Sequence, residues 1–222
     1  KFLFNYDTQE FAYQEVFRLL DEAIKNLERT DGAVDAAYLA KGDKIYNGDR
    51  TKWLKYAYGL RAMARNHFSN KASYDPAAVI ADVDRSFTSN ADDALLAYPG
   101  TNNDDTNFLG WTRNNFRSYR QTRFVVGLMD GTVFGAVDPR MSRMLAPAPD
   151  GLYRGLDPNS GLSTGGFAAA QVPNNFYGYT GTNGGLGQPS RYIFDDKTKM
   201  PAMTYAQLQF VKAEAAFRRG DK

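Results

Sequence analysis

The first part of the chain spaces its hydrophobic and polar residues as an amphipathic helix does. Large hydrophobic side chains recur at steps of three and four over residues 13–27, with polar residues between them. This spacing puts the apolar side chains on one face of an α-helix. Asp7 and Thr8 stand before the pattern and can cap it, and Asp7 with Glu10 has the spacing of a capping box. The pattern predicts a helix over about residues 8–29.

A second helix is predicted directly after the turn Gly48-Asp49, where the Asp49 carboxylate can accept hydrogen bonds from the first-turn amides. One stripe of this helix is apolar: Trp53, Tyr56, Ala57, Leu60, Ala64 and Phe68. The basic residues lie mostly off that stripe: Lys52, Lys55, Arg61 and Arg65. We interpret the aromatic residues as packing groups and the basic residues as a solvated face.

Two further helices have recognisable ends. Asp75 can cap a third helix, with Pro76 at its first position and Val83 facing inward. A last helix is predicted from about Thr204 to about Arg219, and it stops at Gly220. Amphipathic helices joined by short connections favour helix pairs like those of tetratricopeptide repeats.

The centre of the chain has a different character. From about residue 98 it is rich in Asn, Asp, Thr and Gly, with aromatic residues between them. We predict a short helix over about residues 120–130, a strand-like piece at Met141–Leu145 and a long loop over residues 146–190. A loop of that length is either functional or disordered, and its many aromatic residues argue against simple disorder.

These patterns together predict a mostly α fold, in which tetratricopeptide-like helix pairs support a long loop-rich region with little strand. We expect one structural domain with three parts. A helical-repeat scaffold occupies residues 1–98, a loop-rich region facing ligand or partner occupies 99–196, and a returning scaffold helix occupies 197–222.

Composition removes several classes of function. The 222 residues carry a net charge of +2, which argues against a nucleic-acid partner held by phosphate contacts. No apolar run approaches the roughly 20 residues of a membrane span. The chain has no cysteine and a single histidine, His67, so thiol, triad and histidine-metal chemistry lack their residues. We predict no catalysis, no cofactor and no metal site, and we interpret His67 as a packed or helix-end residue.

Two acidic runs have simple structural interpretations. The run Asn102-Asn103-Asp104-Asp105 offers oxygen ligands that calcium accepts, but it lacks the spacing of an EF-hand loop, so we interpret it as a solvated loop. Asp92-Asp93 is interpreted as charge at a helix start.

Several segments become specific when their order along the chain is considered. They are "YDTQEFAYQEVFRLLDEAIKNL" at 6–27, "GDKIYNGDRTKWLKYAYGLRAMARNH" at 42–67, "TSNADDALLAY" at 88–98, "VDPRM" at 137–141 and "PAMTYAQLQFVKAEAAFRRGD" at 201–221. In this order they resemble the SusD/RagB-like family of outer-membrane nutrient-binding lipoproteins, and most closely its SusD-like type 2 branch.

The resemblance implies a location on the extracellular face of the outer membrane. Family members are held there by a lipidated N-terminal cysteine, which this chain, as an internal fragment, would lack. They capture oligosaccharide, or in some cases peptide, for import through a SusC-like TonB-dependent transporter, as in Bacteroidetes-type polysaccharide utilisation. The resemblance also implies that the helix after Asp49 is scaffold and that its aromatic residues do not touch ligand.

Two sets of loop residues have the groups that glycan binding uses, namely flat aromatic faces for sugar rings and polar side chains for their hydroxyls. The candidate ligand-binding residues are Trp111, Asn114, Phe116 and Tyr119 in the first set and Tyr153, Tyr177 and Tyr179 in the second. The alternative for both sets is packing onto the helical core, and the second set has transporter contact as a further alternative.

Other functions stay open at this point. The same fold could capture peptide, or it could serve only as a helical-repeat scaffold for protein partners. A glycoside hydrolase is a weaker alternative, because no pair of carboxylates stands in a recognisable catalytic frame.

Overall fold

The computed structural model describes residues 6–32, 35–102, 104–109, 120–160, 166–174 and 195–221. Within these ranges the chain is mostly helical, with one two-stranded sheet, so the predicted fold class is confirmed. The helices are α1 (Gln9–Glu28), α2 (Ala36–Gly42), α3 (Arg50–Asn66), α4 (Pro76–Asp84), α5 (Arg123–Met129), α6 (Met141–Met144) and α7 (Tyr205–Arg219). The strands are β1 (Ala94–Leu96) and β2 (Met200–Met203), which pair with each other.

Contacts divide the chain into two compact units. The first unit comprises Lys1–Leu96 and Pro201–Lys222 and contains α1 to α4 and α7. The second unit comprises Ala97–Met200 and contains α5 and α6.

Short-range hydrogen bonds start the long helices where the sequence predicts. The Thr8 hydroxyl accepts from the Phe11 amide at 3.2 Å, so Thr8 and not Asp7 is the N-cap of α1. The carboxylate of Asp49 caps α3, and that of Asp75 caps α4. Each cap satisfies amide protons that have no partner inside the helix.

Helix α3 packs against α1, α4 and α7 in the first unit. At Gly59 of α3, an added Cβ would lie 2.6 Å from the Ser86 hydroxyl and 2.8 Å from the terminal methyl of Met203. A larger residue would therefore force the side chains packed against this point to shift. The buried core around this point consists of Tyr46, Ala62, Val79, Val83, Phe87, Ala94, Met203, Leu208 and Ala215.

The basic residues of α3 correct one prediction. The Arg61 guanidinium forms a two-point contact with Asp82 at 3.0 and 2.6 Å, and its side chain is only 15% exposed. Lys55 Nζ lies 2.8 Å from a carboxylate oxygen of Asp92. The interpretation as a solvated face is wrong for these two residues, because carboxylates from α4 and from the turn before β1 cover them.

A single carboxylate organises the turn before α3. Asp43 accepts hydrogen bonds from the amides of Ile45, Tyr46 and Gly48 at 2.9, 3.1 and 2.8 Å, and from the Trp53 indole N–H at 2.7 Å. Burial by itself raises the pKa of Asp43, but these bonds outweigh it and lower the pKa below the usual value. Asp43 therefore fixes both the turn and the first aromatic residue of the α3 stripe.

Two local predictions are also corrected. The strand-like piece at Met141–Leu145 is the short helix α6, which begins after a turn in which the Asp138 carboxylate accepts from the Arg140 amide at 2.8 Å. The pair Asp92-Asp93 does more than supply charge at a helix start. The Asp92 carboxylate binds Lys55, and Asp93 accepts from the Tyr205 amide at 2.6 Å, at the start of α7.

Removing the Asp43 carboxylate is expected to destabilise the first unit. Asp43→Ala leaves three partly buried backbone N–H groups and one indole N–H without their acceptor, so we expect a loss of about 2–4 kcal/mol in the free energy of unfolding. Urea denaturation measures it. Asp7→Ala is the control, since Asp7 is exposed, and it should change stability by less than about 0.5 kcal/mol. Equal effects of both substitutions would contradict the assigned role of Asp43.

The Lys55–Asp92 pair predicts a stability change in acid. Burial raises the pKa of Asp92, but hydrogen bonds from Lys55 and Thr88 bring it down to about 2, below the ordinary 3.8. A lowered pKa stabilises the fold above the unfolded-state value and loses that effect as the pH falls from about 4 to about 2. Asp92→Asn should therefore cost about 2 kcal/mol at neutral pH, and the difference from the native chain should shrink below pH 4. Urea unfolding at a series of pH values checks this, and a difference that is constant down to pH 2 would refute it.

Candidate ligand-binding site

A buried asparagine holds the residues that flank the two predicted ligand-binding segments. The Asn107 amide N–H donates to the Asp196 carbonyl at 2.8 Å, and its side-chain NH₂ donates to the Thr198 carbonyl at 3.1 Å. Its side-chain oxygen accepts from the Leu109 amide at 2.9 Å. These bonds join the residues before segment 110–119 to those after segment 175–194.

Gln121 makes the corresponding connection at the other ends of the two segments. Its backbone N–H donates to the Asn174 carbonyl at 3.1 Å, and its carbonyl accepts from the Leu156 amide at 2.9 Å. The side-chain NH₂ donates to the carbonyls of Ala146 and Arg154 at 2.9 and 2.8 Å, and the side-chain oxygen accepts from the Ala146 amide at 3.2 Å. Gln121 is only 1% exposed. These bonds give its buried side-chain donors and acceptor the partners that water cannot supply.

The residues that flank the two segments are therefore joined at two points, which we call anchors. One anchor joins Asn107 to Asp196, and the other joins Gln121 to Asn174. The candidate residues Trp111, Asn114, Phe116, Tyr119, Tyr177 and Tyr179 belong to these segments and lie outside the described residues. Their ligand-binding role stays a prediction, but their flanking residues are brought together from distant parts of the sequence.

The second anchor depends on a close backbone approach. Thr122 and Leu156 form an isolated parallel bridge, and the Arg123 amide donates to the Leu156 carbonyl at 2.9 Å. A Cβ added at Gly155 would lie 2.3 Å from the Arg123 amide nitrogen. Only glycine permits this approach, so the residue before the bridge has a backbone reason to be glycine.

Tyr153 is the one candidate site residue in the described part of the chain. Its half-buried side chain packs against the cluster of Val126, Met129 and Leu145. This is the packing role that the sequence left open as the alternative. A ligand role for Tyr153 stays a prediction, which would use the part of the ring that solvent reaches.

Three phenylalanines of the second unit are exposed and were not among the predicted site residues. The side chains of Phe108, Phe124 and Phe134 are 71%, 70% and 71% exposed. Phe108 stands between the anchor residue Asn107 and Leu109, whose amide Asn107 binds. Its position among Asn and aromatic residues could have indicated Phe108 as a site residue. Sequence alone does not show whether such a ring is exposed or packed.

In the described part of this unit, nearby side chains and amides bind several of the carboxylates. Arg154 binds Asp150 at 2.6 Å, and this contact lowers the pKa of Asp150. The Arg140 guanidinium holds the pKa of Asp138 at about 2. The Asp105 carboxylate accepts from the amides and the hydroxyl at the start of its own turn, chiefly from the Thr101 hydroxyl, and its pKa is lowered accordingly.

The run that includes Asp105 is thus a turn stabilised by its own side chains, as a solvated loop would be. Among the residues whose placement is described, no cluster of three His, Cys, Asp or Glu side chains is arranged to hold a metal ion. No helix in the same set of residues has the length and hydrophobicity to cross a membrane.

Comparison with known proteins gives the family. Over residues 1–220 the chain matches the SusD-like type 2 family, which is described as starch-binding and associating with the outer membrane. The chain belongs to this family. A comparison with curated protein sequences gave no match.

Solved structures share the fold. A SusD/RagB family protein from Bacteroides thetaiotaomicron is 26% identical with a TM-score of 0.61, over 98% of this chain and 43% of that one. A SusD homolog from Bacteroides ovatus is 16% identical with a TM-score of 0.64, over 96% and 41% of the two chains. One from Parabacteroides distasonis is 19% identical with a TM-score of 0.62, over 99% and 46%. This chain therefore spans less than half the length of each of these three structures.

The Gln121 anchor can be tested by an isosteric change. Gln121→Leu leaves the carbonyls of Ala146 and Arg154 and the Ala146 amide without partners, and we expect a local loss of about 2–4 kcal/mol. Hydrogen exchange at the Ala146 and Leu156 amides should speed up accordingly. Gln14→Leu on the exposed face of α1 is the control and should leave these amides unchanged. Unchanged exchange in Gln121→Leu would show that the anchor does not hold this unit together.

Proposed function

We propose that this chain is part of a cell-surface protein that captures oligosaccharide, without chemical conversion, for import through a SusC-like TonB-dependent transporter of the outer membrane. Membership of a family described as starch-binding and outer-membrane-associated supports the sugar ligand and the location. The transporter partnership and the restriction to oligosaccharides follow from the family resemblance and are part of the proposal.

The observation that carries the proposal is the pair of shared anchors. Bonds from Asn107 to Asp196 and from Gln121 to Asn174 hold the flanks of both loop segments that contain the predicted sugar-binding residues. Two loops tethered at common points can supply one binding surface from opposite sides. Their anchors are buried amides in a folded unit, which limits the ordering entropy that the loops lose when ligand binds.

The chemistry of capture needs no reactive group. Rings of Trp111, Phe116, Tyr119, Tyr177 and Tyr179 would stack on the apolar faces of sugars and exclude water. Asn114 would exchange hydrogen bonds with ring hydroxyls, since an amide has both donors and acceptors. Such a surface binds and releases its ligand reversibly, as a protein that delivers sugar to a transporter must.

The proposal predicts that Trp111 carries part of the affinity. A glycan array on the full-length soluble protein identifies a ligand, which is then titrated calorimetrically against the native protein and Trp111→Ala. We expect Trp111→Ala to weaken binding by about 1–3 kcal/mol, the size of a lost stacking contact. Phe210→Ala is the matched control, because Phe210 is an aromatic side chain on α7 that is 78% exposed in the first unit.

The outcomes separate the alternatives. Equal affinities of the native protein and Trp111→Ala would keep sugar capture and remove the first loop from the site. Absence of any glycan ligand, together with binding of peptides in the same assay, would replace sugar with peptide.

A further inference from the structure

A cavity of about 250 Å³ is lined by residues of the first unit. Its walls come from α1, from the end of α3 and the residue pair that follows it, and from the turn before α4. The lining residues are Phe17, Arg65, Phe68, Ser73, Tyr74 and Asp75.

The aromatic part of the wall is held in place by its own packing. The ring centroids of Phe17 and Phe68 are 6.2 Å apart, and Tyr13 meets Phe68 edge to face at 5.1 Å. The Tyr74 hydroxyl donates to the Asn66 side-chain oxygen at 2.7 Å, which orients the Tyr74 ring. The rings that face the cavity are therefore preorganised, and a ligand would not have to order them.

The polar part of the wall has unused hydrogen-bonding capacity within the described structure. Arg65 Nε lies 3.1 Å from an Asp82 oxygen but without hydrogen-bond geometry, and its two terminal nitrogens donate to no described residue. One Asp75 oxygen accepts from the Ala78 amide at 3.0 Å. The other oxygen and the Ser73 hydroxyl bond to none of the residues that the structure describes. The N–H donors of Arg65, the acceptor oxygen of Asp75 and the hydroxyl of Ser73 thus lie around the aromatic part of the cavity wall.

The charges around the cavity do not favour an anionic ligand. Asp82 is already bound at two points by Arg61, which also contacts Asp21 at 2.6 Å. Two positive groups, Arg61 and Arg65, are therefore balanced by three negative ones. The negative groups are the carboxylates of Asp21, Asp82 and Asp75. A carboxylate or phosphate entering here would gain Arg65 but would lie close to Asp75 and Asp82, so the positive charge of Arg65 is largely offset.

We propose that this cavity is a second carbohydrate subsite, built into the helical scaffold, that takes one neutral sugar unit. The inference rests on the proposed function and adds a site to it. Aromatic faces meet the apolar face of the ring, while the Arg65 guanidinium donates to one sugar hydroxyl and the free Asp75 oxygen accepts from a neighbouring one. A volume of about 250 Å³ lies below the roughly 300–1,000 Å³ of sites for larger ligands, which suits a single ring.

Amide chemical shifts of the full 222-residue chain, titrated with maltotriose, test the proposal. Maltotriose is a neutral fragment of starch, the polymer named in the family description. We expect saturable shifts at the backbone amides of residues 65–75. Ser73→Trp fills the cavity without removing an existing bond, and it should weaken this response at least tenfold.

A matched control uses the same new side chain elsewhere. Ala81→Trp places the indole at an exposed position of α4, and the response at residues 65–75 should match that of the native chain. An equal response in Ser73→Trp and the native chain would overturn the proposal. So would the absence of maltotriose shifts at residues 65–75, whatever happens at the loop anchors.

Asp75→Asn distinguishes a neutral ligand from a charged one. Asparagine keeps the helix cap through its one oxygen and replaces the free acceptor with an NH₂ donor, to which a sugar hydroxyl can pair equally well as acceptor, so maltotriose affinity should change by less than about threefold. Parallel titrations use glucuronate as an anionic sugar and a dipeptide as a zwitterion. Tighter binding of either than of maltotriose at residues 65–75 would overturn the assignment to neutral sugar.

The same titrations separate failure of the scaffold subsite from failure of sugar capture by the loops. If maltotriose shifts only amides at the loop anchors, such as Asn107 and Gln121, the scaffold subsite is wrong and capture by the loops stands. If residues 65–75 respond while Trp111→Ala leaves glycan affinity unchanged, the subsite stands and the loop site is wrong.

Discussion

The buried ion pair between Arg61 and Asp82 is the contact on which the helical unit depends. Arg61 lies on α3, Asp82 on α4 and Asp21, its second partner, on α1. Charges withdrawn from water cost several kcal/mol each unless they are paired and hydrogen-bonded, so α3 and α4 can pack only in an arrangement that brings Arg61 and Asp82 together. Hydrophobic burial drives the packing, but it is non-directional. The ion pair adds the directional requirement that apolar contacts lack.

The same contact shapes the cavity beside it. Because one two-point contact from Arg61 binds both oxygens of Asp82, Arg65 approaches that carboxylate through Nε, and its terminal nitrogens bond to no described residue. Aromatic rings from α1 and from the end of α3 complete the wall. A structural ion pair and a polar recess with aromatic walls are therefore two results of one arrangement of α1, α3 and α4.

In the second unit, buried neutral amides connect distant stretches of the chain, whereas in the first unit a buried ion pair connects two helices. Asn107 and Gln121 each bind backbone groups from distant stretches of the chain, and both side chains are almost completely buried. An amide has donors and acceptors together, so one side chain can satisfy a carbonyl and an N–H of loops that have no regular pairing. This allows a unit with little regular secondary structure to fix the ends of long loops.

The sequence by itself determined the elements whose signals are local. The caps of α1, α3 and α4 at Thr8, Asp49 and Asp75, and the end of α7 before Gly220, each rest on contacts between residues a few positions apart. The family also followed from segments that keep their order along the chain. Helix α2 and the four-residue helix α6 escaped prediction, because so few residues do not establish a helical period.

Only the tertiary structure decided which residues are partners. A helical period shows which face of α3 is buried, but the carboxylates that cover Lys55 and Arg61 arrive from elements 37 and 21 positions further along the chain. The anchor from Asn107 to Thr198 spans 91 positions, and no spacing in the sequence encodes it. The reason is physical: caps and amphipathic stripes depend on neighbouring backbone geometry, whereas buried ion pairs and amide anchors depend on how separate elements meet when the core closes.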